Sequence, residues 1–251
     1  TKKEKNNIIS SIQTNLNTTY ISELVSQKMI NELKNNLNSK KYKEILDPLE
    51  FAQVLTKDLQ SVSKDLHLKV RFEPKRIARK KHMISDKMQL EIEKRMAKQM
   101  AEINYGFTET KILNGNIGYL NLRMFADAKY AKEAATAAMN FLSNTNGIII
   151  DLRNNGGGVP SMVQLLCSYF FDEKPVLLSN FYERQTDKKT QLYSFAHVDG
   201  KRSTNKHVYI LTSKNTFSAA EAFTYTMKHL DKATVVGEIT KGGANRTKRI
   251  N

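Results

Sequence analysis

A single cysteine, Cys167, in 251 residues excludes an intrachain disulfide and any cysteine-built zinc site. It stands among Val163, Leu165, Leu166, Tyr169 and Phe170, surroundings that predict a packed core thiol rather than a reactive one. No apolar run approaches the roughly 20 residues that a helix needs to span a bilayer. The chain opens Thr1-Lys2-Lys3, with neither a starting Met nor an apolar signal core. This reads as a mature or trimmed product whose targeting segment has already gone. Acidic residues are also short: 25 Asp and Glu against 40 Lys and Arg leave a net charge of +15.

Such a charge invites a polyanion partner. The densest basic cluster, however, is Arg71, Lys75, Arg76, Arg79, Lys80 and Lys81. It lacks the interleaved aromatics of a single-strand platform, the ligands of a zinc finger and an evident helix-turn-helix. Much of the excess is Lys scattered beside Asn, a pairing that AT-rich coding sequence produces without functional demand. A solvated basic face is therefore expected, with no specific nucleic-acid partner. Weak association with acidic surfaces is the sharper alternative. What is present is otherwise ordinary for a soluble globular protein: 40% hydrophobic and 26% charged residues, on a chain long enough to bury a substantial core.

Three regions follow one another. Residues 1–71 are helical in pattern: Ile21, Leu24, Val25, Met29, Ile30, Leu33 and Leu37 recur at helical spacing. Asp47-Pro48 then reads as a helix start, with Leu49, Ala52, Leu55, Leu59 and Val62 on one face. The alternation closing Lys64–Val70 predicts a short strand. Residues 72–104 lack glycine and are rich in charge and Met; Met88, Leu90, Ile92, Met96 and Met100 suggest a long exposed helical linker. Residues 105–251 alternate strands and helices. Strands are expected at Ile117–Leu122, Gly147–Leu152, Val208–Leu211 and Thr234–Val236, and helices at Ala128–Leu142, through Leu165 to Phe170, and at Ser218–Leu230. A hairpin with Asp199-Gly200 at its turn is expected between the last two helices. Repeated strand-loop-helix units imply an α/β core with right-handed crossovers.

Two strand-to-helix junctions carry unusual residues. Asp151-Leu152-Arg153-Asn154-Asn155 precedes Gly156-Gly157-Gly158, and Thr212–Phe217 precedes Ser218-Ala219-Ala220-Glu221. In open α/β sheets ligands collect at the carboxyl ends of strands. A serine at a helix start meets free backbone N–H groups and the positive end of the helix dipole, which favour a developing oxyanion. Ser218-x-x-Glu221 is equally a capping box, and three glycines are equally a turn. Local pattern alone leans to the cap.

Three segments together shift that balance: "DLRNNGGG" at Asp151–Gly158, "TSKNTFSAAEAF" at Thr212–Phe223 and "VVGEITKGGA" at Val235–Ala244. On them, residues 116–244 resemble the tail-specific (C-terminal processing) serine protease family. The nearer branch is that of the tricorn protease core and interphotoreceptor retinoid-binding protein. "SVSKDLHLKV" at Ser61–Val70 resembles the amino-terminal region of that branch. The resemblance implies a crotonase-like (protease-core) sheet-and-helix domain, of which 105–251 supplies part, behind a helical N-terminal domain. It implies Ser218 as nucleophile, with backbone N–H groups of Ala219 and of Gly157 or Gly158 as the oxyanion hole.

Of the five histidines, His229 and His207 are expected a helix length or a strand length from Ser218, and His82 and His197 solvated. His67 falls where the tricorn-like branch carries its catalytic histidine, so the resemblance makes it the general base. In the archaeal pattern a serine precedes that histidine; here Leu66 does. The family's other branch uses a Ser-Lys dyad. In this chain Gly243 occupies the lysine's place and Lys241, the alternative base, comes two residues early. A catalytic histidine needs an orienting acid, and the resemblance places it well beyond residue 251; nothing after Glu238 is acidic, so Arg246–Asn251 does not supply it. The expected activity is a serine peptidase acting on peptides or unfolded protein, exported, and needing no cofactor or metal. The alternative is a non-catalytic carrier of retinoid- or fatty-acid-like ligands on the same fold.

Overall fold

The computed structural model describes residues 1–81, 86–243 and 245–250, so His82 lies outside the described residues. Contacts divide the chain into two compact units. One holds Thr1–Ile84, Tyr182–Thr190 and Asn245–Asn251, the other Ser85–Phe181 and Gln191–Ala244.

The first unit is helical: α1 (Lys2–Thr19), α2 (Glu23–Asn38), α3 (Pro48–Ser63) and α4 (Pro74–Lys81). Side-chain oxygens start the first three. Thr1 forms a capping box with Glu4, Ser22 accepts from Val25, and Asp47 accepts from Leu49 and Glu50 ahead of Pro48. Ile9, Met29, Leu33, Tyr42, Leu55 and Leu59 fill the space between α1, α2 and α3. Asp58 is buried in that core, and Tyr42 Oη, Lys41 Nζ and Asn36 Nδ2 donate to it at 2.8, 2.6 and 3.1 Å. A buried carboxylate is tolerated only with such a complement of donors.

The strand expected at Lys64–Val70 does not form. Lys64 ends α3 in the left-handed conformation, at φ 56°, and the chain folds back along that helix. Leu68 and Val70 pack on the helical core, and their backbone groups are met by α3 side chains. Gln60 Nε2 donates to Leu68 O at 2.8 Å, while Thr56 Oγ1 accepts from Val70 N at 2.9 Å and shares its single proton between Ala52 O at 2.8 Å and Val70 O at 3.2 Å. The alternation is real, but its apolar side faces a helix and no partner strand completes a ladder.

The second unit begins with α5 (Asp86–Glu102), whose Met88, Leu90, Ile92 and Met96 are exposed while Met100 is half-buried. Then come β1 (Phe107–Leu113), β2 (Ile117–Leu122), α6 (Ala128–Phe141), β3 (Gly147–Asp151), α7 (Pro160–Ser168), β4 (Leu177–Glu183), β5 (Lys188–Tyr193), β6 (His207–Thr212), α8 (Ala219–His229) and β7 (Ala233–Gly237). The main sheet has the order β1-β2-β3-β6-β7. Its β2, β3, β6 and β7 run parallel and β1 antiparallel to β2. Leu120, Ile148, Ile150, Val208 and Ile210 meet Ala131, Ala135 and Met139 of α6, Met162, Leu165 and Leu166 of α7, and Phe223 and Met227 of α8 in one core. These helix positions recur three or four apart, the spacing that keeps one face on the sheet.

β4 and β5 form a separate hairpin, whose outer part, Tyr182–Thr190, belongs to the first unit. Its turn is Arg184–Asp187, not Asp199-Gly200 as expected; Asp187 takes the left-handed position at φ 49°. Asp199-Gly200 belongs instead to the loop before β6, where Gly200 packs on the Asn140 side chain. Cys167 is fully buried, and burial pushes its thiol far above the ordinary range, as a core thiol requires.

Candidate active site

Parallel pairing places the carboxyl ends of β3 and β6 side by side, with Asp151 opposite Leu211. Asp151 is 4% exposed. Arg153 grips its carboxylate through Nε at 3.0 and 3.1 Å and Nη2 at 2.6 Å, and Tyr119 Oη donates at 2.8 Å. Burial alone would raise the Asp151 pKa. The hydrogen bonds from Arg153 and Tyr119 outweigh it and hold the carboxyl below the ordinary aspartate range. This ion pair anchors the loop and leaves Asp151 no part in proton transfer.

Beyond it, Asn155 is fully buried and ties three segments together. Its Nδ2 donates to Leu122 O at 2.9 Å, its Oδ1 accepts from Gly157 N at 2.8 Å, and its carbonyl accepts from Phe217 N at 3.1 Å. Gly157 and Gly158 have φ of +102° and +149°. A Cβ on Gly157 would lie 2.7 Å from Ser218 Cβ and 2.9 Å from Ala219 N, and one on Gly158 would run into the Phe125 carbonyl. Only glycine allows this approach.

Ser218 stands at the end of the β6 loop with φ 59° and ψ −116°. A β-carbon-bearing residue held there costs about 1–3 kcal/mol, and such strain persists only where the surroundings over-determine it. They do here. Ser218 N donates to Gly242 O at 2.9 Å, Ser218 O accepts from Ala222 N at 2.9 Å, and the Asn155 bond fixes Phe217. The capping box does not form, because in this conformation the Ser218 hydroxyl does not cap α8. Glu221 instead accepts from the Thr240 hydroxyl, which also accepts from Gly242 N at 3.3 Å. Glu221 and Thr240 thus hold the segment that pins the serine backbone.

The helix start leaves the Ala219 N–H without an acceptor among the described residues, and the same is true of Gly158 N–H. The Gly157 N–H differs: Asn155 Oδ1 takes it at 2.8 Å. Lys241 lies alongside the serine loop, its backbone N–H donating to Thr216 O at 2.9 Å. In the same unit, His207 starts β6 beside Thr234 and Tyr209, His229 stacks on Tyr225 at 4.0 Å near the end of α8, and His197 lies 3.6 Å from Asp199. Strand and helix rise separate His207 and His229 from Ser218, as expected.

His67 belongs to the first unit, in the turn after α3. Its backbone N–H donates to Asp65 Oδ1 at 2.9 Å, and its Nδ1 lies 3.4 Å from the same oxygen. Neither Asp65 nor Asn155 was singled out from sequence. The available signal for Asp65 was its spacing, two residues before His67, which an Asx turn requires. Among the described residues no group of three or more His, Cys, Asp or Glu is placed to hold a metal.

The fold has solved counterparts. A Parabacteroides merdae protein superposes with a TM-score of 0.58 at 19% identity, over 97% of this chain and 77% of that one. In sequence, the "Probable CtpA-like serine protease" of Staphylococcus epidermidis is 29% identical over 128 residues, 51% of this chain and 25% of its own length. The "Carboxyl-terminal-processing protease" of Synechocystis is 27% identical over 127 residues, 51% of this chain and 28% of its own. The chain therefore spans about a quarter of the length of the curated relatives it matches. Residues 1–105 match the N-terminal domain of peptidase S41 in eukaryotic IRBP. Residues 116–250, more than half of the chain and the whole of the serine junction, match peptidase family S41, and the chain belongs to that family.

Proposed function

We propose that this protein is a serine peptidase that cleaves peptides or unfolded protein through an acyl-enzyme on Ser218. The observation that carries this reading is the strained Ser218 backbone at the start of α8, near two N–H groups, of Ala219 and Gly158, that have no acceptor among the described residues. A serine on a sharp strand-to-helix turn presents its Oγ to a substrate and has the helix start behind it. Oγ attacks the substrate carbonyl carbon while a base takes its proton. The Ala219 and Gly158 N–H groups receive the resulting oxyanion. The proton passes to the departing amine, and water then hydrolyses the ester by the reverse sequence. Gly157 contributes space rather than a hydrogen bond. The base is His67, supported by the resemblance of its segment, with Lys241 as the alternative. The relatives' names, a serine protease and a carboxyl-terminal-processing protease, support the substrate class.

Labelling of the full chain with a serine-directed fluorophosphonate tests this. Adduct is expected on Ser218 and lost in Ser218→Ala. His67→Ala is expected to slow labelling about 10²-fold or more, and Lys241→Ala to leave it within about threefold. A folded wild-type chain without adduct on Ser218 sinks the peptidase reading. Retained binding of a fluorescent fatty acid in that case would favour the carrier.

A further inference from the structure

We infer that Asp65 is the positioning residue that orients His67, an inference that rests on His67 being the base. Its physical basis lies within the first unit. Asp65 Oδ1 takes the His67 backbone N–H at 2.9 Å and lies 3.4 Å from Nδ1 without a hydrogen bond between them, so one oxygen stands against both the backbone and the ring of the same histidine.

The carboxylate is itself held from several sides. Its backbone N–H donates to Ser63 Oγ at 3.1 Å, and Oδ2 receives Asn245 Nδ2 at 3.3 Å and Tyr20 Oη at 3.5 Å. The side chains of Asp65 and His67 are only 9% and 14% exposed, so water screens the pair weakly. A rotamer change would break the carboxylate's contacts to three residues, His67, Asn245 and Tyr20, at once.

The chemical consequence follows from the two ring nitrogens being distinct. Once the ring turns so that Nδ1–H bonds Asp65, the lone pair resides on Nε2, which is the form a general base needs. When Nε2 takes the serine proton, the imidazolium forms next to the Asp65 side chain. The proton remains on Nε2 until it passes to the leaving amine, and Asp65 gains none. The orienting acid, expected from the resemblance beyond residue 251, then has a counterpart two residues before the histidine. The 3.4 Å ring contact is not a hydrogen bond in this geometry, and catalytic contacts of this kind commonly align and tighten only with substrate bound.

The ring tautomer provides a test independent of activity. Long-range ¹H–¹⁵N correlation on the full chain, with His67 assigned by its loss in His67→Gln, reads which nitrogen is protonated above the histidine titration range. Wild type is expected in the Nδ1–H form and Asp65→Ala in the Nε2–H form that unconstrained histidine prefers. Asp65→Asn keeps an oxygen for the turn but removes the charge, and is expected to slow fluorophosphonate labelling of Ser218 by about 10²-fold. A His67 tautomer identical in wild type and Asp65→Ala overturns the inference, as does wild-type labelling in Asp65→Asn. If the wild-type chain is never labelled, the peptidase reading fails while the tautomer comparison still decides the role of Asp65.

Discussion

The serine junction and the histidine turn are built by opposite means. Around Ser218, backbone holds backbone: Gly242 O, Asn155 O and the close glycines enforce a φ of 59°. Around His67, side chains hold backbone: Asp65, Thr56 and Gln60 supply the partners that a strand ladder would have supplied. The difference teaches where each is fragile. A backbone lattice fails when a single Cβ is added. A side-chain lattice fails by degrees as polar atoms are removed.

The largest expected effect is therefore at Gly158. Gly158→Ala forces a Cβ onto the Phe125 carbonyl at a φ of +149°. It should destabilise the second unit by about 3 kcal/mol or more, read as a fall in denaturant midpoint. Unchanged stability would show that the junction relaxes freely. Thr56→Val, nearly isosteric, removes both Thr56 bonds to Val70 and should cost about 1–2 kcal/mol, seen in the unfolding of the helical unit. It should also raise hydrogen exchange at Val70. A cost as large as that at Gly158 would erase the contrast between the two regions.

The smallest effect concerns pH. The folded Asp151 carboxyl titrates below its ordinary value of 3.8, so the unfolded chain binds the proton first. Its stabilisation is present above that ordinary value and is lost as pH falls through the lower folded one. Tyr119→Phe removes one donor and should flatten this acid-side slope, measured as stability against pH between neutral and strongly acidic solution. An unaltered slope would assign the pH dependence to other carboxyls.

Much of the second unit was legible in residue order. β2, β3, β6 and β7 are short apolar runs, and α6 follows a capping Asp127, so period and punctuation were enough. β1 escaped because Thr108, Glu109 and Lys111 blur its alternation on an edge strand that is largely solvated. The β4–β5 turn escaped because it uses Asp187 in a left-handed conformation where the sequence offers a better turn dipeptide at Asp199-Gly200. The Lys64–Val70 alternation was read with the right period and the wrong partner, since a helix can cover Leu68 and Val70 as well as a sheet can.

The same division runs through the site. The family, and the position of Ser218 and the glycine loop at two strand-to-helix junctions, were legible in sequence alone, because they depend on residue identity and on spacing along one chain segment. Only tertiary structure decided that Ser218 is strained rather than capping, that Gly157 spends its N–H on Asn155, and that a carboxylate stands against His67. Each of these is a question of which of several possible partners a polar atom finds. That choice is made by packing, after the chain has folded.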